Sequence, residues 1–399
     1  MKGFCPFLPL LRSYRKLLFI SLGSFFLFSL FWSGRHIQSS THGFTEGLHA
    51  GSNNFGLPYT AAILYLVRLE DASKLLDSLA SLNRNVPGPP WPVILFHTGD
   101  FDEEGPQIEL VDNVYHHLGA TNESREFSER IEFVKLDWRL PNGISSDVNV
   151  VDPVFADRWP GMSPPPNLPI NITDLSDLEG YHHMCSFFST QIFFHPRLKD
   201  VTYYMRVDTD SLFTAPLCYD PIEVIHRRQR LYGYVFIGSE PQWVTSGMWS
   251  LVQNYTDAHP SVDKRLGLNN WRWSHRDENG DESLDFFGYG TNLEIVDLDA
   301  FRRPDIREWL DAIERYPEGI YKWRWGERKN FATSDRSHYS LNFFFLQGDA
   351  PLRYATVQMF LDVEKDTEFL CGIRYTHPWN EHEHCPCVPL DQMAALPAN

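Results

Sequence analysis

Two aspartates one residue apart, Asp208 and Asp210, close the stretch "YYMRVDTD" (203–210), where apolar and aromatic residues lead directly into carboxylates. Carboxylates are rarely buried alone, and like charges this close repel unless a cation lies between them. Hard divalent cations take oxygen ligands and bridge carboxylates to diphosphates, so the pair is a candidate metal site. D-x-D also occurs in plain surface turns, so it is the apolar strand before it that gives the spacing weight. Far downstream, His377 in "RYTHPWNEHEHCPC" (374–387) follows a strand-like run and is fixed by Pro378, which makes it the histidine expected to return to the same site. The neighbouring His382, His384, Cys385 and Cys387 do not have structural zinc spacing. A third carboxylate, Glu294, sits among apolar residues in "GTNLEIVDLDAFRR" (290–303). It is either an ordinary salt-bridged acid or an active-site carboxylate that stabilises or attacks an oxocarbenium-like centre.

These groups need a scaffold. Residues 59–67 form a near-continuous apolar run, as a parallel strand buried on both faces should. Leu75, Leu76, Leu79 and Leu82 then make one stripe of an amphipathic helix, and "WPVILFHTGD" (91–100) reads as a second buried strand. Strand, helix, strand opens a doubly wound α/β domain. Prolines crowd 139–180, which reads as loop, and 181–198 reads as a helix stopped near Pro196. "VTYYMRVDTDSLF" is expected as a central strand with its aspartates at the C-terminal end, where open α/β sheets bind ligands. The period-two alternation of a strand predicts that Asp208 and Asp210 share one side. Further strands are expected at 230–240, and helices after 244 and at 304–316.

The chain has 399 residues and a formal net charge of −17, with 43% hydrophobic residues, enough for one large α/β domain. The acidic balance and the lack of a Lys/Arg-rich run argue against a nucleic-acid partner. A phosphate-bearing substrate would therefore need a local device, such as a divalent cation. Residues 17–33, "LLFISLGSFFLFSLFWS", hold no charge and would make a helix of roughly 25 Å, near the lower limit for a membrane span. Lys2, Arg12, Arg15 and Lys16 precede it, which predicts a cytosolic tail (1–16), a signal anchor (17–33), a luminal stem (34–57) and a luminal domain (58–399). A cleaved signal peptide is the alternative. Three Asn-x-Ser/Thr sequons, at Asn122, Asn171 and Asn254, agree with a luminal body. Of the six cysteines, Cys5 falls in the tail; two disulfides and one thiol would account for Cys185, Cys218, Cys371, Cys385 and Cys387.

Taken together and in order, "AAILYLVR" (61–68), "YHHMCSFFS" (181–189), "YYMRVDTD" (203–210), "TNLEIVDLDAFR" (291–302), "YKWRWG" (321–326), "GDAP" (348–351) and "IRYTHPW…CP" (373–386) resemble glycosyltransferase family 15, the fungal-type α-1,2-mannosyltransferases of the secretory pathway. The resemblance runs from about residue 59 to 387. It implies a GT-A-like fold, a Rossmann-like mixed sheet flanked by helices, with GDP-mannose as donor and Mn²⁺ as cofactor. It also implies retaining transfer to the 2-hydroxyl of a mannose on an N- or O-linked glycan acceptor, on the Golgi membrane. By position it makes Asp208, Asp210 and His377 the metal set, with Asp210 also near the nucleotide. It makes Glu294 the nucleophile or charge-stabilising carboxylate, Tyr181 an active-site tyrosine, and Arg68 and Asp349 donor-binding residues. The departures are specific. Asp208 is one methylene shorter than the family's glutamate, the contiguous "RWGDAP" is split by residues 327–347, and Arg353 stands where the family usually has histidine. A transferase with a UDP-sugar donor, or a silent glycan-binding scaffold, would share much of this pattern. The oligomeric state is not legible.

Overall fold

Residues Ala61–Leu66 and Val93–His97 consist almost wholly of apolar and aromatic side chains, and both runs are buried strands. In this computed structural model the described residues are 56–142, 144, 175–240, 245, 248–269, 271, 275–276, 282–283, 286–321, 349–377 and 380–382. They fall in one unit, Ala50–Asn399. The expected tail and anchor, most of the stem, and the Cys385/Cys387 end lie outside them. Among the described residues no helix is long and apolar enough to cross a membrane.

The strands in chain order are β1 (Ala61–Leu66), β2 (Val93–His97), β3 (Ile131–Lys135), β4 (Tyr203–Val207), β5 (Leu212–Phe213), β6 (Tyr232–Tyr234), β7 (Ile237–Glu240), β8 (His275–Arg276), β9 (Glu282–Ser283), β10 (Phe286–Tyr289), β11 (Leu293–Asp297), β12 (Thr367–Phe369), β13 (Tyr375–His377) and β14 (Asn380–His382). The longer helices are α1 (Ala72–Asn85), α2 (Glu104–His117), α3 (Asn122–Ser128), α4 (Leu175–Ser186), α5 (Pro221–Arg227), α6 (Met248–Ala258), α7 (Pro260–Leu268), α8 (Pro304–Glu314) and α9 (Ala350–Phe360). Seven strands form the main sheet in the order β12-β6-β11-β4-β1-β2-β3. Every pairing in it is parallel except the two made by β11, which runs antiparallel to β4 and β6. A mixed α/β sheet flanked by helices is thus present, as the resemblance implied.

Alternating side chains divide the core. Ile63, Met205 and Ile295 pack on one face with Leu75, Leu79 and Leu82 of α1. Leu64, Tyr204 and Val296 pack on the other with Phe188, Phe193 and Leu352. The predicted 181–198 helix differs in detail. Helix α4 runs Leu175–Ser186, and the chain continues as a π turn (Phe187–Gln191) and a 3₁₀ turn (Ile192–Phe194) before Pro196. Expected strand 230–240 is two strands, β6 and β7, in different sheets. Cys218 and Cys371 are each disulfide-bonded, while Cys185 is a buried thiol.

Candidate functional site

The site is organised by an arginine in the middle of the central strand. Arg206 on β4 is 1% exposed and stands directly across from Glu294 on β11. A buried guanidinium is tolerable only when its donors are matched by anions. Arg206 Nε donates to Asp208 Oδ1 at 3.0 Å and Nη1 to Asp349 Oδ2 at 2.5 Å. Its Cζ lies 3.7 Å from the centroid of the Phe188 ring. Burial disfavours the cation, but Asp208 and Asp349 outweigh it and hold Arg206 protonated. Thr291 Oγ1 donates to the other oxygen of Asp349 at 3.2 Å. Asp349 therefore reaches the site despite the 327–347 segment. It does so fully buried, as an anchor for Arg206 at the start of α9.

Glu294 is 0% exposed, and both its oxygens are taken. Tyr204 donates to Oε1 at 2.8 Å and Tyr232 to Oε2 at 2.9 Å. Arg353, on α9, adds a fork: Nε to Oε2 at 3.0 Å and Nη2 to Oε1 at 3.2 Å. The same Nη2 donates to the Phe188 carbonyl at 2.9 Å, and the guanidinium lies over Phe193 at 4.7 Å. Burial, with the adjacent Glu294 charge, pushes the Tyr204 and Tyr232 hydroxyls well above their ordinary range, so both remain donors. A carboxylate enclosed by four such bonds stabilises charge in place; it presents no free lone pair to an incoming group.

The D-x-D pair is divided. Strand β4 ends at Val207, so Asp208 and Asp210 lie in a turn beyond it and not in the strand alternation expected from sequence. Asp208 is held back toward the sheet by Arg206, and its backbone N–H donates to the Asn292 carbonyl at 3.1 Å. Asp210 turns instead to His377, at the end of β13, with Oδ1 3.2 Å from Nε2. Strand β13 pairs with β5, which brings this distant histidine to the turn. Burial alone would raise the Asp210 carboxyl, but the hydrogen bond and charge of His377 bring it below the usual range. Among the described residues no three acid, histidine or cysteine side chains converge tightly enough to hold an ion by themselves. The donors still fit a divalent cation: Asp210 and His377 offer one oxygen and one nitrogen, and Asp208 is one-fifth exposed beside them. The remaining ligand positions would belong to water or a phosphate.

Of the two remaining expected residues, one is described in full and the other only in its backbone. Arg68 follows β1, half exposed, in ion pairs with Glu70 at 2.6 Å and Asp71 at 3.2 Å. Tyr181 lies on α4, and its side chain is outside the described residues. Sequence reasoning did not assign Arg206, Thr291 or Tyr232. The signal for Arg206 was present, a lone charge inside "YYMRV", whereas nothing local marks Thr291 or Tyr232. Arg353 was visible only as a departure from the family pattern, and its partner was not.

Comparison with known proteins finds mannosyltransferases. The family described as glycolipid 2-alpha-mannosyltransferase matches residues 167–334. The probable mannosyltransferase KTR4 of Saccharomyces cerevisiae is 25% identical over 224 residues, covering 54% of this chain and 42% of its own length. The chain thus spans less than half the length of that curated relative. Among solved structures, the mannosyltransferase Ktr4p of S. cerevisiae in complex with GDP superposes with a TM-score of 0.61 at 20% identity, over 87% of this chain and 77% of that one. Core-mannan synthase A of Aspergillus fumigatus, in its Mn/GDP form, gives 0.59 at 21%, over 84% and 79%. At these identities the superpositions establish a shared fold, and the family match over residues 167–334 accords with the resemblance read from the sequence motifs.

Proposed function

We propose that this chain, a relative of the glycolipid 2-alpha-mannosyltransferases, transfers mannose from GDP-mannose to a mannose hydroxyl of an N- or O-linked glycan, with retention of configuration. The observation that carries this reading is the convergence of Arg206, Asp208, Asp210, Asp349, Glu294 and His377 at the C-terminal end of β4, on a fold shared with a GDP-bound and an Mn/GDP-bound relative.

Asp210 and His377 would hold a manganese ion, with Asp208 beside them. When bound, such an ion supplies positive charge that offsets a diphosphate and assists its departure. The chain's own residues do the rest. Arg206, clamped between Asp208 and Asp349, fixes the D-x-D turn against the sheet. Glu294 lies beneath as a fixed negative charge, enclosed by Arg353 and two tyrosines. That enclosure favours the charge-stabilising role over the nucleophilic one. The acceptor hydroxyl then attacks from the side on which the diphosphate leaves, and its proton passes to a departing phosphate oxygen.

Residues 17–33 as a type II Golgi anchor complete the proposal. The cationic tail, the sequons and the disulfide-bonded Cys218 and Cys371 support it. The test is GDP release by the full-length chain in detergent, with Mn²⁺, from GDP-mannose and from UDP-sugars, followed by NMR of the glycan product. Manganese-dependent release from GDP-mannose alone, with a new α-1,2 linkage, is expected. Release from a UDP-sugar instead, or from no donor, overturns the reading.

A further inference from the structure

On the opposite face of the sheet from Glu294 and Arg206 lies a cavity of about 310 Å³, walled by Ile63 and Met205 of the sheet, the end of α1, the Pro-rich turn before β2, and α3. At its base is Asp220, 8% exposed. Its Oδ1 caps helix α5, accepting from the Ile222 N–H at 2.9 Å and the Glu223 N–H at 3.3 Å. Among the described residues its Oδ2 accepts no hydrogen bond. No Lys, Arg or His among the described residues forms an ion pair with it.

A helix cap needs only one oxygen, and asparagine caps as well as aspartate without the cost of a buried charge. Here the carboxylate is kept. Gly88, at φ +136°, stands over Oδ2, and a methyl group at that position would lie 2.6 Å from it. The groups around the cavity reinforce the sign. Glu123 and Glu126 of α3 line it, both exposed, while Glu223 on α5 is already paired with Arg227. Among the described residues one base, Arg130, also lines the cavity, held on its wall by donating to the Trp91 carbonyl at 3.2 Å and stacking on Phe127 at 4.6 Å. A carboxylate with no ion-pair partner among the described residues, in a cavity also lined by Ile63, Met205, Trp91 and two glutamates, is complementary to a cation with a hydrocarbon body.

We infer that this cavity is a second ligand site, taking a small organic cation, a primary ammonium on a short apolar chain, with Asp220 Oδ2 as its counter-ion. Sheet alternation separates it from the transferase site, because Met205 and Ile63 face away from Tyr204 and Arg206.

The experiment is calorimetric titration of the full-length chain in detergent with n-butylammonium and 1,4-diaminobutane, in two buffers of different ionisation heat. Near pH 6, where burial holds the Asp220 carboxyl, a captured ammonium should displace a proton. Saturable binding with fractional proton release is expected, weakened about tenfold or more in Asp220→Asn. That variant keeps the helix cap, so its melting temperature and GDP release should remain at least those of the parent. Equal binding by Asp220→Asn, or no saturable binding to the parent, overturns the inference. Because GDP release is measured separately, either result leaves the proposed transferase reading standing or falling on its own.

Discussion

Arg353 and Glu294, 59 residues apart in sequence, form a two-pronged ion pair at 3.0 and 3.2 Å in which neither side chain is exposed. The family's usual histidine at this position could not make the fork. In this chain the pair joins helix α9 to strand β11 and fixes what Glu294 can do.

Removing one partner strands the other. Arg353→Met should cost about 3–5 kcal/mol, the usual penalty for leaving a buried charge alone. Chemical denaturation would read this, and Arg353→Met combined with Glu294→Leu should recover most of it. A single variant as stable as the parent would refute the pairing.

Glu294→Gln separates the two roles left open for that residue. Glutamine keeps the size but loses the charge, and its amide nitrogen cannot accept the bonds that one carboxylate oxygen now takes, so turnover should fall by about 10²-fold. Mass spectrometry of the parent with donor should show no mannosyl adduct on Glu294. An adduct there would restore the nucleophilic assignment.

Arg206 reaches two carboxylates with different nitrogens, at 3.0 and 2.5 Å. Lysine carries the charge but not the fork, so Arg206→Lys should release Asp208 while keeping Asp349 partly paired. The expected result is a protein destabilised by about 1–3 kcal/mol, with a larger loss in kcat than in KM.

The Asp210–His377 contact predicts paired behaviour. Asp210→Asn and His377→Ala should each cut manganese-dependent GDP release by about 10²-fold, and the double variant should fall little further. Additive losses would show that the two side chains do not serve one ligand. Circular dichroism controls for folding.

Asp220 predicts a pH dependence of stability. Burial raises its carboxyl to about 6, above its unfolded value, so the folded state holds the proton more tightly between about pH 4 and 6. Stability from this group is therefore greatest below about pH 4 and lost as pH rises through about 6. Asp220→Asn should flatten that segment of the profile and stabilise the protein at neutral pH by about 1–3 kcal/mol. A steeper profile in the variant would contradict the raised value.

What the sequence determined by itself was local and periodic. The apolar runs at 61–66 and 93–97, the leucine stripe of α1 and the carboxylates after "YYMRV" follow from side-chain burial along one stretch of chain, so they were legible. The ordered motifs carried the resemblance and the mixed α/β fold. Pairings were another matter. That Asp208 faces Arg206 while Asp210 faces His377, that Asp349 crosses 143 residues to Arg206, and that Glu294 is locked by Arg353 all depend on which strands adjoin. The antiparallel insertion of β11 between two otherwise parallel neighbours sets the place of Glu294, opposite Arg206, while the pairing of β13 with β5 brings His377 to Asp210. A carboxylate's role depends on the charges around it, and those charges come from distant segments that only the tertiary fold brings together.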